Sequence, residues 1–111
     1  IIKGIKLISE EVVGFNQDEL RILAENLQAK LNSGIILLTV KIKDKPFLVV
    51  AVTKNLIEKG FSASQIVKEL AVLLGGGGGG RENFAQGSGK NSSQLKEALR
   101  KIEEINKGVR S

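Results

Sequence analysis

Cysteine, histidine, methionine, tryptophan and tyrosine are all missing from this chain, and proline occurs once. Without cysteine there is no disulfide, no thiolate nucleophile and no cysteine-based zinc site. Without histidine, the usual general base near neutral pH, the Ser-His-Asp triad and the commonest metal ligand are gone. A hydrolase made from these residues is left with carboxylates, lysines or a bound metal. Four phenylalanines are the only aromatic residues, so the core is aliphatic. The apolar stretches are short and broken by charge, which excludes a helical membrane span. Ile1-Ile2-Lys3-Gly4 is not the start of a signal peptide. The lack of Met, at position 1 as elsewhere, suggests a piece cut from a longer chain.

What is present fits a single domain. The length is 111 residues, with a hydrophobic share of 41%, enough for one core. The formal net charge of +5 points either to a polyanionic partner such as nucleic acid or to a merely soluble surface.

Hydrophobic periodicity places the elements. Residues 1–8 alternate imperfectly and predict a strand, with 9–16 as a connection. Residues 17–32 predict an amphipathic helix, with a stripe of Leu20, Leu23, Ala24, Leu27 and Leu31. Asn16 and Glu19 form a capping-box pattern at its start, and Gly34 suits a left-handed cap at its end. Residues 35–42 and 47–53 are β-branched apolar runs separated by Lys43-Asp44-Lys45-Pro46, a hairpin spacing. Pro46 belongs at a strand start or on an edge. Residues 54–60 read as a turn or short helical piece. A helix follows over 63–74, capped by Ser62 with Gln65, and another over 92–107, capped by Asn91 or Ser92. The predicted order is β-α-β-β-α-glycine loop-α, an α/β fold in which a small sheet with a β-hairpin is packed by three helices.

Between the last two predicted helices lies GGGGGGRENFAQGSGK, residues 75–90. Each glycine costs roughly 0.5–1 kcal/mol relative to alanine in regular structure, so the run is either a slack tether or a place where bare backbone is needed. A tether joins units that fold separately, and the one helix downstream is marginal alone. The run therefore belongs inside one domain, with a disordered internal loop as the alternative. It is a poor nucleotide fingerprint, because a helix rather than a strand precedes it and Arg81-Glu82 follows it. Gly87 to Ser92 opens into a predicted helix N-terminus, which favours an anion, and Arg81 and Lys90 bracket the segment within reach of a phosphate. Phe84 and Gln86 share a face if the stretch is extended. Phe84 is then core or a stacking platform, and Asn83 and Gln86 either bond to bases or satisfy the loop backbone. Lys41, Lys43 and Lys45 recur at period two, a phosphate track or lysine protection of an edge strand.

An apolar helix running into Gly75–Gly80, then Arg81, Asn83, Phe84, Ala85, Gln86 and Gly87, resembles the C-terminal domain of alanyl-tRNA synthetases, within the DHH-associated superfamily. The likeness extends upstream through the hairpin and the helix with Ile66, Val67 and Leu70, and so covers residues 1–111 as one globular C-terminal domain. Glu82-Asn83 and Gly87-Ser88-Gly89 read as variation within the motif. The resemblance implies a module with no catalytic centre and no cofactor of its own, in a cytoplasmic ligase that uses ATP, magnesium and zinc in upstream domains. It implies alanine-accepting tRNA as partner, contacted around the elbow, and a role in coupling aminoacylation with editing. It implies those upstream domains, and a homodimer, as further partners, and no membrane. The residues it nominates for nucleic acid are Gly78, Gly79, Gly80, Arg81, Asn83, Gln86 and Lys90, with Lys41, Lys43 and Lys45 contributing charge. A structural or dimerisation domain is the alternative, as is the nucleotide-binding domain of a DHH-type phosphoesterase. That branch pairs its glycine motif with a histidine, which this chain lacks.

Overall fold

The computed structural model describes residues 6–43 and 45–90. The predicted helix over 92–107, its caps at Asn91 and Ser92, and residues 1–5 of the first predicted strand lie outside the described residues. Eight elements follow in chain order: β1 (Lys6–Val12), α1 (Gln17–Lys30), β2 (Gly34–Ile42), β3 (Lys45–Val52), α2 (Lys54–Glu58), α3 (Ala63–Leu73), β4 (Gly77–Gly80) and β5 (Phe84–Ser88). The strands form one five-stranded sheet in the order β1-β2-β3-β5-β4.

The fold class is the predicted mixed α/β. β2 and β3 pair antiparallel from Ile35↔Val52 to Ile42↔Lys45, as the two apolar runs require. β1 pairs with β2 in parallel, from Lys6↔Gly34 to Val12↔Val40. Parallel neighbours need a crossover, and α1 supplies it. The first strand runs on past its predicted end at residue 8 to Val12, and it is an edge strand. Glu10 and Glu11 point into solvent there, and their polarity hid the strand in the sequence.

Both faces of the central strands are covered over most of their length, which is why their sequences are largely apolar runs. Ile35, Leu37, Leu48, Val50 and Val52 pack with Val67, Leu70 and Leu74 of the α3 segment. Ile36, Leu38, Val40, Val49 and Ala51 pack with Leu20 and Ala24 of α1. The helix starts follow the sequence. The Glu19 N–H donates to Asn16 Oδ1 at 2.8 Å, and the Asn16 N–H donates to Glu19 Oε1 at 3.0 Å, a complete capping box. Ser62 accepts from the Gln65 N–H at a long 3.5 Å.

The helix ends are different. α1 stops at Lys30 with Leu31 as an extended cap, and Gly34 opens β2 instead of serving as a left-handed cap. The left-handed cap falls at Gly75 (φ +75) after α3. There the Gly75 N–H donates to Val72 O and the Gly76 N–H to Ala71 O, a Schellman arrangement. The glycine run is therefore not a loop between helices. Gly75 ends α3, and Gly77–Gly80 form an edge strand paired antiparallel with β5, Gly77↔Ser88 to Gly80↔Ala85.

Among the described residues no helix is long and apolar enough to cross a membrane.

Candidate nucleic-acid interface

Glycine is disfavoured in strands, so a strand of four glycines needs a cause. For one face of the β4–β5 hairpin the cause is close packing against the β5 backbone and against α3. A Cβ on Gly78 would lie 2.5 Å from Gly87 Cα, 2.6 Å from Gln86 O and 2.8 Å from Val67 Cγ1. A Cβ on Gly87 would also lie 2.8 Å from Val67 Cγ1, and one on Gly89 would run into Leu74. The hairpin lies directly against α3, and side chains here would push the two apart.

The other face has no such cause. Among the described residues nothing lies within 4 Å of a Cβ built on Gly77 or Gly79, and neither has a positive φ. This face of β4 and β5 borders α1, which packs over β2 and β3 and stops short of the hairpin. α1 runs antiparallel to β5, with Gln17 beside Ser88 and Gly89, Arg21 beside Gln86, and Gln28 beside Asn83. The result is an open groove of about 520 Å³. Arg21, Glu25 and Gln28 form one wall, Arg81 and Asn83 one end, and Gly79 and Gln86 the floor.

The hairpin loop is pinned at three points. The Arg81 N–H donates to Phe84 O at 2.8 Å, the Ala63 N–H donates to Glu82 O at 2.8 Å, and the Val52 N–H donates to Asn83 O at 3.0 Å. Gln28 adds a fourth. Its Nε2 donates to Val52 O at 3.0 Å and to Asn83 O at 2.9 Å, tying α1 to the loop. Arg81 is exposed and has no carboxylate partner among the described residues. Arg21 lies between Asp18 at 3.8 Å and Glu25 at 3.7 Å, all three exposed, so both pairs are weak.

The nominated residues separate into groups. Gly79, Gly80, Arg81, Asn83 and Gln86 meet in the groove. Gly78 turns its Cβ position to α3. Phe84 and Gln86 share a face, with Phe84 half-buried against the α1-side core. Arg81 and Lys90 do not meet at one phosphate. They lie beyond opposite ends of β5, whose span from Phe84 to Ser88 is about 14 Å at ~3.4 Å per residue. The lysines do not form one track either. Lys41 pairs with Pro46 and Ile42 with Lys45, so Lys41 and Lys45 project from opposite faces of the sheet. Lys43 occupies the turn at φ +52. Lys43 and Lys45 border a small cleft with Gln17 and Ser88 on the groove side, while Lys41 faces Glu11 at 3.9 Å. The expected anion site at the helix after Lys90 lies outside the described residues.

The α1 wall was not nominated from sequence. Arg21, Glu25 and Gln28 recur at i, i+4 and i+7, one polar stripe beside the apolar one. That spacing was the available signal.

Comparison with known proteins agrees with this fold. The DHHA1 domain model matches residues 4–108. Alanine–tRNA ligase of Dehalococcoides mccartyi is 47% identical over 100 residues, covering 90% of this chain and 12% of that protein. Alanine–tRNA ligase of Natranaerobius thermophilus is 43% identical over 104 residues, covering 94% of this chain and 12% of that protein. The chain thus spans a small part of the curated relatives it matches. The crystal structure of the C-Ala domain from Aquifex aeolicus alanyl-tRNA synthetase superimposes with a TM-score of 0.84 at 30% identity, covering 92% of this chain and 91% of that one. From the glycine hairpin on its α/β sheet to this near-complete match, the chain belongs to the DHHA1 domain family, in the branch of the alanyl-tRNA synthetase C-terminal domains.

Proposed function

We propose that this chain is a non-catalytic tRNA-binding module of an alanine–tRNA ligase, holding tRNA by its shape and backbone. The observation that carries the reading is the pair Gly77 and Gly79. Gly79 lines a groove bordered by Arg21 and Arg81, Gly77 continues the same face of the strand, and packing among the described residues gives no reason for either to be glycine. Structured RNA offers phosphates and 2′-hydroxyls rather than a readable major groove. A strand without side chains lets a phosphate backbone come close to peptide N–H groups, which position nucleic acid without reading its sequence. Arg21 and Arg81 supply the charge-assisted contacts.

By analogy with the named relatives, the RNA is alanine-accepting tRNA. The contact is its elbow, and the module keeps one tRNA available to both aminoacylation and editing in the parent chain. The test is binding of this chain to that tRNA at two salt concentrations, with Arg21→Ala, Arg81→Ala as the paired variant. The expected result is salt-sensitive binding that the double substitution weakens and that a minihelix without the elbow loops shows only more weakly. Binding insensitive to salt and to both arginines would overturn the reading.

A further inference from the structure

A second cleft, of about 930 Å³, lies on the other side of Gln28. It is formed by the end of α1, the β3–α2 junction and Asn83. It shares Glu25, Gln28 and Asn83 with the glycine groove, so Gln28 divides one continuous depression into two compartments.

The two compartments differ in chemistry. The groove offers cations and bare backbone. Besides Gln28, the cleft offers the side-chain amides of Asn32, Asn55 and Asn83, beside the half-buried aliphatic side chains of Leu31 and Ile57. Thr53, itself buried, orients one amide. Its hydroxyl accepts from the Gly34 N–H at 3.0 Å and donates to Asn55 Oδ1 at 2.7 Å. The Asn55 oxygen is thereby committed, and its NH2 remains as a donor. The side chains of Asn32 and Asn83 make no hydrogen bond among the described residues. Among the described residues Lys54 is the one basic residue of the lining, whereas Glu25 and Glu58 both border it. Two carboxylates repel a phosphate and accept from an exocyclic amine.

We propose that this cleft seats the base of one unstacked RNA nucleotide, whose neighbouring phosphates run along the glycine groove. An asparagine amide presents a donor and an acceptor side by side, which matches the edge of a base. Proteins that read RNA sequence do so mostly on such splayed bases. The volume is in the range of small-ligand sites. The inference rests on the RNA-binding reading and adds a base-selective compartment to it.

The test uses two RNA hairpins of equal length and charge, one fully paired and one carrying a single unpaired adenosine. The backbone contribution is common to both. The chain should prefer the hairpin with the unpaired base by at least about fivefold, the lower end for a bidentate base contact. Asn32→Ala should erase that preference. So should Asn55→Asp, which keeps the acceptor for Thr53 but replaces the free donor. Equal binding of the two hairpins, or a preference that survives both substitutions, overturns the base site while leaving RNA binding intact. Failure of both hairpins to bind overturns the RNA reading instead. Titration with adenosine monophosphate, followed through the side-chain amide resonances of Asn32, Asn55 and Asn83, then decides the cleft by itself: shifts at these amides sustain a base site, and unmoved amides overturn it.

Discussion

The Gln28 side chain holds the Asn83 carbonyl at 2.9 Å and the Val52 carbonyl at 3.0 Å with one NH2 group. Residues 55 positions apart in sequence are joined there, and the loop that presents Arg81 is fixed to the helix that presents Arg21. A typical hydrogen bond contributes about 0.5–1.5 kcal/mol net, and both of these are partly exposed. Gln28→Ala should therefore cost about 1–2 kcal/mol, read as a lower urea midpoint with an unchanged slope. Gln28→Glu should cost more, because a carboxylate cannot donate and would face two carbonyl oxygens. If both variants unfold at the parent midpoint, the bridge does not form in solution.

The two kinds of glycine predict opposite phenotypes. Gly78→Ala forces a methyl between Gly87, Gln86 and Val67, an overpacking of about 1–3 kcal/mol. Each kcal/mol is worth roughly 4 °C in a domain of this size, so the melting temperature should fall by about 4–12 °C. Gly77→Ala and Gly79→Ala meet no atom of the described residues within 4 Å and stand at negative φ. They should leave stability unchanged or raise it by up to about 1 kcal/mol, yet weaken tRNA binding. Thermal melts beside RNA titrations of the three variants separate the roles. A loss of stability in all three would mean that the open face is packed in solution.

Much of the scaffold was legible because its determinants are local. Asn16 and Glu19 stand three residues apart and cap each other. The runs 35–42 and 47–53 are almost wholly apolar because helices cover both faces of those strands over most of their length. The glycine strand was not legible. Intrinsic preference argues against glycine in a sheet, and only the long-range partner Phe84–Ser88 and the approach of α3 make Gly77–Gly80 a strand. The end of β1, beyond residue 8, was hidden for a related reason, since Glu10 and Glu11 are tolerated only at a sheet edge. The motif identified Arg81, Asn83 and Gln86. It could not supply Arg21, Glu25 or Gln28, which join the groove only through tertiary packing of α1.

Position on the sheet, more than charge alone, should decide which cations matter. Arg81 stands at the groove end without a carboxylate partner among the described residues, and Lys41 projects from the opposite face beside Glu11. Arg81→Ala should weaken binding of every structured RNA about equally and lower the slope of log K against log salt by about 1, as for one lost phosphate contact. Lys41→Ala removes the same charge and should leave the slope nearly unchanged. Equal slopes lost in both variants would mean that only net charge is sensed.

Glu25 predicts a gain. Its carboxylate lies 3.7 Å from Arg21 Nε and borders both compartments of the depression, where it opposes an approaching phosphate and competes for Arg21. The pair is exposed and contributes about 0.2–1 kcal/mol, so Glu25→Gln should cost the fold little. Releasing Arg21 and removing one negative charge should tighten tRNA binding by about two- to fivefold at low salt. The gain should shrink as salt is raised, because the screening length drops from about 10 Å at 0.1 M to about 3 Å at 1 M. Glu69→Gln on α3, exposed on the other side of the sheet, makes the same change in net charge away from the groove and should give a smaller gain. If the two variants tighten binding equally at every salt concentration, the RNA does not approach Glu25, and the α1 wall is not part of the interface.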